Sequence, residues 1–458
     1  MNYNGILNTD SYKLSMHKQY PPGTTTVYSY IEARGGIYDK LVFFGLQAFL
    51  KEYMTKPITQ NQIDRAEKIV LAHGEPFNRE GWEYILKEHN GYLPIEIRSV
   101  DEGTIIPVKN ALVVLWNTDP KCFWLTTHVE TSLLRGVWYP TTVATNSYAS
   151  KQVILKYLEE TGDPSILLFR LHDFGSRGVS SYESSLLGGM AHLVNFLGTD
   201  TTACLEAIME WYNTDQVVGF SLPAMEHSTV TSWGREHEVD AYRNMLKQYA
   251  KKGTLLAAVS DSYDIYEACK LWGTVLKQEV IDSGAVVIIR PDGGEPSHVV
   301  LECVRILDKY FGSTTNSKGY KVLNYVRVIQ GDGITTSTIN GILFCLQMAG
   351  YSADNVAFGQ GGALLQQVNR DTSAFALKCS AVEVNYVWRD VYKDPITDSG
   401  KRSKCGRFSL VQRNGEFQTI LESERHVSEL DWLIVRYRDG QLYNETTFEE
   451  VRARANEK

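Results

Sequence analysis

Ala285-Val286-Val287-Ile288-Ile289-Arg290-Pro291-Asp292-Gly293-Gly294 is the stretch that decides the fold. Its apolar half does not alternate, so it suits a short strand buried on both faces. The run ends abruptly at an arginine and an aspartate, and Pro291 with the two glycines breaks it. Beyond the break Val299, Cys303, Ile306 and Tyr310 recur at helical spacing, as on a helix covering a sheet. Strand, polar turn and amphipathic helix together form the unit of a parallel β/α architecture.

Four further runs follow the same plan. Ile166–Leu171 leads into His172-Asp173-Phe174-Gly175, and Leu255–Val259 into Ser260-Asp261-Ser262-Tyr263-Asp264. Val326–Ile329 leads into Gln330-Gly331-Asp332-Gly333, and Val356–Phe358 into Gly359-Gln360-Gly361-Gly362. Their intervals suit a β/α barrel, with a doubly wound open sheet as the competing arrangement. In either, the polar residues at the strand ends converge on one rim. Earlier in the chain, Ile95–Val100 alternates as a half-buried strand and Ala111–Trp116 reads as a more buried one. A helix is expected from Ser150 to Glu160, with Val153, Ile154, Tyr157 and Leu158 on one face.

Composition limits what such a rim can serve. The 458 residues are 43% hydrophobic and 11% aromatic, enough for a large core and too much for disorder. Lysine and arginine number 46 against 54 aspartates and glutamates, a net charge of −8, which argues against a nucleic-acid partner. No apolar run is long enough for a membrane span. Met1-Asn2-Tyr3-Asn4-Gly5 lacks the basic and apolar zones of a signal peptide, so a soluble, cytoplasmic protein is expected. The seven cysteines are scattered and the ten histidines show no His-Glu-x-x-His spacing, which leaves a disulfide framework or zinc hydrolase without support.

The rim residues carry their own chemistry. Asp200, Asp264, Asp292 and Asp332 can hold sugar hydroxyls or hydrated Mg²⁺. Arg177 and Arg290 follow strands as anion binders would, and Gly359–Gln366 forms a glycine-rich strand-to-helix turn whose N–H groups and dipole favour a phosphate. Lys393, Lys401, Arg402 and Lys404 form a basic stretch. Phosphate, hydroxyl and magnesium sites together point to a phosphorylated ribose. His227, beside Glu226, Ser228 and Thr229, is a candidate nucleophile or general base.

Longer motifs extend this reading: Thr9-Asp10-Ser11-Tyr12-Lys13, Lys18-Gln19-Tyr20-Pro21-Pro22, Asn117-Thr118-Asp119-Pro120 and Thr142-Val143-Ala144-Thr145-Asn146-Ser147. With Leu171–Gly175, His192–Phe196, Ser260–Tyr266 and Val328–Gly333, the chain resembles the nicotinamide phosphoribosyltransferase family of type II phosphoribosyltransferases over nearly its whole length. The resemblance implies a β/α barrel over 165–380 inside a discontinuous α/β surround, built from an N-terminal region over 1–164 and a C-terminal segment over 381–458. It implies transfer of phosphoribosyl from 5-phosphoribosyl-1-pyrophosphate to nicotinamide, the first step of NAD salvage. A homodimer with shared active sites, Mg²⁺ and ATP as a facultative co-substrate are implied with it.

Residue by residue, the resemblance assigns Phe174 and the partner's Tyr12 to sandwich the pyridine, Asp200 to accept from the carboxamide NH₂, and Arg290 to the nicotinamide site. Arg177, Arg290, Asp292, Gly331 and Asp332 match phosphate and ribose contacts, and Gly361 and Gly362 the 5′-phosphate turn. Arg34, Arg370, Lys378, Lys393 and Lys401 match the cations around pyrophosphate and phosphate. His227 matches a histidine phosphorylated by ATP, with Asp264 orienting its ring. No metal ligand set is assigned. Phe169, Ser176, Ala363 and Ala376 depart from the vertebrate members without removing a central chemical group. Nicotinate phosphoribosyltransferase, with the same fold and chemistry, is the nearest alternative, and a non-catalytic nucleotide-binding dimer the alternative from another class.

Overall fold

The computed structural model describes residues 3–397 and 402–457. The chain forms two compact units, Met1–Thr145 with Ile208–Asp215 and Asn369–Lys458, and Asn146–Ala207 with Gln216–Val368. These divisions fall earlier than those expected at 164/165 and 380/381. The first moves because the helix expected from Ser150 is the end of a much longer one, Glu130–Thr161, and its Ile154, Tyr157 and Leu158 belong to the second unit's core. The second moves because the strand Phe375–Val384 pairs along Thr24–Ala33.

The first unit is built on an antiparallel seven-stranded sheet. Its order is Val387–Asp390, Phe375–Val384, Thr24–Ala33, Ala111–Asn117, Ile95–Ser99, Ile434–Arg438 and Gln441–Leu442. Four of the seven strands thus come from the C-terminal part of the chain. Ile95–Ser99 is more buried than its alternation suggests. Glu96 is only 2% exposed, because the Arg98 and Arg438 guanidiniums cover it with hydrogen bonds of 2.7 and 2.6 Å.

The second unit holds a six-stranded parallel sheet in the order Gly198–Thr199, Leu171–Asp173, Val356–Gln360, Val326–Gln330, Val286–Arg290 and Leu255–Val259. Both edges bond to one segment. Thr199 N–H donates to Phe220 O and Phe220 N–H to Leu197 O, at 3.0 and 2.7 Å. On either side of Ala224, four residues on, Met225 N–H donates to Ala257 O and Ala257 N–H to Pro223 O, at 2.9 and 3.0 Å. Residues 220–225 therefore link the two edges through single bridges, Gly198 to Phe220 and Ala224 to Ala257.

Strand periodicity explains the interior. Leu256, Ala258, Val287, Ile289, Val328 and Phe358 join the core that includes Ala268, Cys269, Val300, Cys303, Val304 and Leu307 of the covering helices Ile265–Gly273 and Pro296–Phe311. The alternate positions Ala257, Ile288, Ile329 and Ala357 cluster separately with Phe174 and Leu222. Two of these inward residues are alanines, too small to fill the space, and a cavity of about 410 Å³ remains.

One expected strand is mostly something else. Pro164–Phe169 is a 3-10 helix, and the strand occupies only Leu171–Asp173. Asp163 accepts the Ser165 N–H at 2.9 Å and Pro164 takes the first helical position, so a cap and a proline override the apolar run. Among the described residues no helix is long and apolar enough to cross a membrane.

Candidate active site

The cavity is lined at the strand ends by Phe174, Asp200 and Arg290, along its length by Ala257, Ile288, Ile329 and Ala357, and at its far end by Arg170 and Arg327. Burial depresses both distal arginines, Arg170 to about 10. Phe174 leaves the strand Leu171–Asp173 with its N–H bonded to Gln360 O at 3.0 Å, which lays the ring along the neighbouring strand end. Gly359 makes this possible. A Cβ there would sit 2.0 Å from the ring's Cε2.

Asp200 follows the edge strand and is anchored by its N–H to Asp173 O at 2.9 Å, while Ser221 Oγ donates to its Oδ1 at 2.7 Å. Asp173 itself is buried and its carboxyl is pushed up by desolvation, although it accepts from Thr201 Oγ1 at 2.6 Å and Gly175 N–H at 2.7 Å. Desolvation likewise holds His172 below its ordinary value, a neutral ring beside Asp200. On Arg290, Nε is buried and has no hydrogen-bond partner among the described residues. An acceptor, a guanidinium and an aromatic face thus meet in one cavity.

His227 lies just beyond the bridging segment and opens the single helical turn Ser228–Thr231, with its carbonyl accepting Thr231 Oγ1 at 2.9 Å. Its Nε2 is 2.9 Å from Asp261 Oδ1, and its Nδ1 is 4.0 Å from Asp292 Oδ2. Asp261 Oδ2 also accepts the Asp292 N–H at 2.8 Å. The expectation that Asp264 orients His227 is therefore corrected: Asp261 does so. Asp264 caps the helix Ile265–Gly273, accepting from Tyr266 and Glu267 N–H at 2.9 and 3.1 Å. Asp261 ends a strand and Asp264 starts a helix. The Asp-x-x-Glu spacing of Asp264 and Glu267 was the readable sign of a cap.

The glycine turns lie close by. Gly331 sits where a Cβ would be 3.4 Å from Phe174 and 3.6 Å from Asp292 Oδ1, and Gln330 Nε2 donates to Asp332 O at 3.0 Å, shaping that turn. Asp332 is exposed. The helix after Gly361 is one turn, Gly362–Leu365, so its dipole adds less than the sequence suggested. What the turn offers is bare backbone, with nothing within 4 Å of a Cβ at Gly362. A Cβ at Gly178 would come within 3.5 Å of Gly362, which brings the exposed turn carrying Arg177 alongside.

The remaining candidates lie in the first unit. Burial lowers Lys378, with Arg34, Lys13 and Lys393 near enough to lower it further and Glu130 opposing, so four cations cluster there. Arg34 keeps Nε and Nη2 buried without hydrogen-bond partners among the described residues, with Nε 3.4 Å from Glu32 Oε1. Tyr12 is exposed, with Lys13 Nζ over its ring at 5.0 Å. Arg370 is exposed and pairs with Asp371 at 3.1 Å. Lys401 lies outside the described residues.

This chain matches the nicotinate phosphoribosyltransferase (NAPRTase) family over residues 169–430 and the nicotinamide phosphoribosyltransferase N-terminal domain over residues 4–97. It is 54% identical to a nicotinamide phosphoribosyltransferase of Xanthomonas campestris, over 99% of this chain and 98% of that protein. A protein of the same name from Mycoplasma pneumoniae is 32% identical over 90% and 97% of the two chains. Among solved structures, nicotinate-nucleotide pyrophosphorylase from Pyrococcus furiosus superposes with a TM-score of 0.62 at 15% identity, covering 99% of this chain and 96% of that one. Human nicotinic acid phosphoribosyltransferase does so at 0.57 and 14%, covering 98% and 92%, and both likenesses concern the fold. With its parallel β/α sheet, its second, discontinuous α/β unit and these full-length relatives, the chain belongs to the nicotinate phosphoribosyltransferase family of type II phosphoribosyltransferases and is a phosphoribosyltransferase.

Proposed function

We propose that the enzyme transfers phosphoribosyl from 5-phosphoribosyl-1-pyrophosphate to nicotinamide, giving nicotinamide mononucleotide and pyrophosphate, the first step of NAD salvage. The observation that carries this reading is the meeting of Asp200, Arg290 and Phe174 in one cavity. A carboxamide needs an acceptor for its NH₂ and a donor for its carbonyl, and the pyridine needs an aromatic face. Asp200 supplies the first, the Arg290 guanidinium the second and Phe174 the third. Nicotinate brings a second negative charge towards Asp200 and no donor. The full-length likeness to nicotinamide phosphoribosyltransferases supports the same choice.

The pyridine nitrogen already carries a lone pair, so attack on the ribose C1 needs no general base. Catalysis rests on alignment and on stabilising the departing pyrophosphate as the ribose becomes oxocarbenium-like. Arg177 and the backbone at Gly361 and Gly362 hold the 5′-phosphate, and Asp292 and Asp332 hold the ribose hydroxyls. Arg34, Arg370, Lys378, Lys393 and Lys401 supply positive charge, and Tyr12 completes the pyridine site in a homodimer.

Magnesium neutralises pyrophosphate charge when bound. Among the described residues the one convergent ligand group of three is His89, Asp119 and Cys122 in the first unit, not on the rim. Mg²⁺ is commonly held by one or two carboxylates together with substrate phosphates. Asp292 and Asp332 would be the carboxylates to hold it beside the ribose.

ATP enters at His227. Nε2 faces Asp261, so an imidazole carrying its proton there presents the Nδ1 lone pair to ATP. Nδ1 attacks the γ-phosphorus and ADP leaves with the bridging oxygen. Water later removes the phosphoryl group from the ring. The test of the whole reading is product analysis with 5-phosphoribosyl-1-pyrophosphate and each pyridine, with and without ATP. Nicotinamide mononucleotide is expected, with an acid-labile phosphate on the protein that His227→Ala abolishes. Preference for nicotinate overturns the substrate, and ATP stimulation surviving in His227→Ala overturns the histidine.

A further inference from the structure

We propose that Ser221 is a positioning residue that sets the choice of pyridine by locking the Asp200 carboxylate. This rests on the reading that Asp200 meets the carboxamide. Asp200 is exposed at the end of a two-residue strand, Gly198–Thr199, so its own backbone anchors do not fix its side chain. The Ser221 hydroxyl does. It donates to Oδ1 at 2.7 Å, which occupies that oxygen and leaves Oδ2 as the acceptor free for a ligand N–H.

Ser221 is itself held in register. Its neighbour Phe220 exchanges two backbone hydrogen bonds with Leu197 and Thr199, immediately before Asp200. Ser221 and Leu222 then line the same cavity as Asp200, Phe174 and Arg290. The segment continues to Pro223 and Met225, which bond to Ala257, and ends at His227. The donor that orients the selectivity carboxylate therefore comes from the one segment bonded to both sheet edges. A carboxylate free to rotate meets an amide less well and can turn away from a ligand carboxylate, so loss of the lock weakens nicotinamide and tolerates nicotinate.

The test is a set of steady-state kinetics on the full-length enzyme with nicotinamide and nicotinate in turn. Ser221→Ala is expected to raise KM for nicotinamide roughly tenfold, with a smaller change in kcat, and to narrow the preference over nicotinate by a similar factor. Ser221→Thr, which keeps the hydroxyl, is expected to restore both. In an Asp200→Ala background, Ser221→Ala should change neither, because the group it acts on is gone. Independent effects of the two substitutions, or unchanged selectivity in Ser221→Ala, overturn the role of Ser221. A parent enzyme that does not use nicotinamide overturns instead the reading on which it rests.

Discussion

His227 and Asp261 form a fixed pair, with the imidazole Nε2 2.9 Å from one carboxylate oxygen while the other oxygen accepts the Asp292 N–H at 2.8 Å. Held at both ends, the carboxylate cannot rotate, and it presents His227 with Nδ1 directed outward, 4.0 Å from Asp292 Oδ2. Asp261→Asn breaks this arrangement, since an amide has one acceptor oxygen for two donors. If ATP acts through His227 as proposed, the ATP-stimulated part of the rate falls roughly 100-fold and the ATP-independent rate changes little. Initial rates with and without ATP measure this. Full ATP stimulation in the variant would show that Asp261 does not set the tautomer.

Asp264 has the opposite profile. Its carboxylate accepts two N–H groups at the start of Ile265–Gly273 and lies outside the His227 contacts. Asp264→Ala should cost about 1 kcal/mol of stability through the lost cap. Thermal unfolding measures that loss, and ATP hydrolysis should stay within about twofold of the parent. A collapse of ATPase activity in a well-folded Asp264→Ala protein would return the orienting role to it.

These two aspartates show where the sequence was legible. Apolar runs ending in polar turns revealed the strands Leu255–Val259, Val286–Arg290, Val326–Gln330 and Val356–Gln360 nearly to the residue, because burial on both faces leaves a continuous apolar pattern. Phe174 and Arg290 were readable as rim residues for the same reason, whereas His227 stood out by its neighbours Glu226, Ser228 and Thr229 and Asp200 by the family resemblance. The segment 220–225 was not, because its pairing consists of single bridges that impose no side-chain period. Ser221 was missed with it. Between Asp261 and Asp264, strand end and helix cap lie three residues apart, and composition alone does not separate them. Pro164–Phe169 was misread because its apolar content matches a strand while its cap and proline specify a helical turn.

Gly359 is required by the approach of one ring. A Cβ there would lie 2.0 and 2.1 Å from Cε2 and Cδ2 of Phe174, far inside contact distance. Gly359→Ala must therefore displace the ring from the cavity wall, at a packing cost of about 1–3 kcal/mol. KM for the pyridine is expected to rise roughly 10- to 100-fold, while KM for 5-phosphoribosyl-1-pyrophosphate, which does not stack on Phe174, changes little. Steady-state kinetics varying each substrate separates the two. Equal rises in both constants would mean that the whole rim had shifted rather than the ring.

His128 gives the first unit a calculable sensitivity to acid. It is 4% exposed, its ring 5.0 Å from that of Trp82 and 6.0 Å from that of Trp124, and burial lowers it from 6.5 to about 4. Between those values the unfolded chain binds the proton and the folded chain does not, so stability is fully present above pH 6.5 and falls as the pH drops towards 4. The difference corresponds to an upper bound of about 3 kcal/mol. Urea unfolding monitored by tryptophan fluorescence, repeated between those two pH values, should show this loss. His128→Gln removes the titrating group, so its stability should decline less steeply over the same window, even though the variant starts lower from altered packing. Parallel pH profiles for the two proteins would assign the acid sensitivity to other groups.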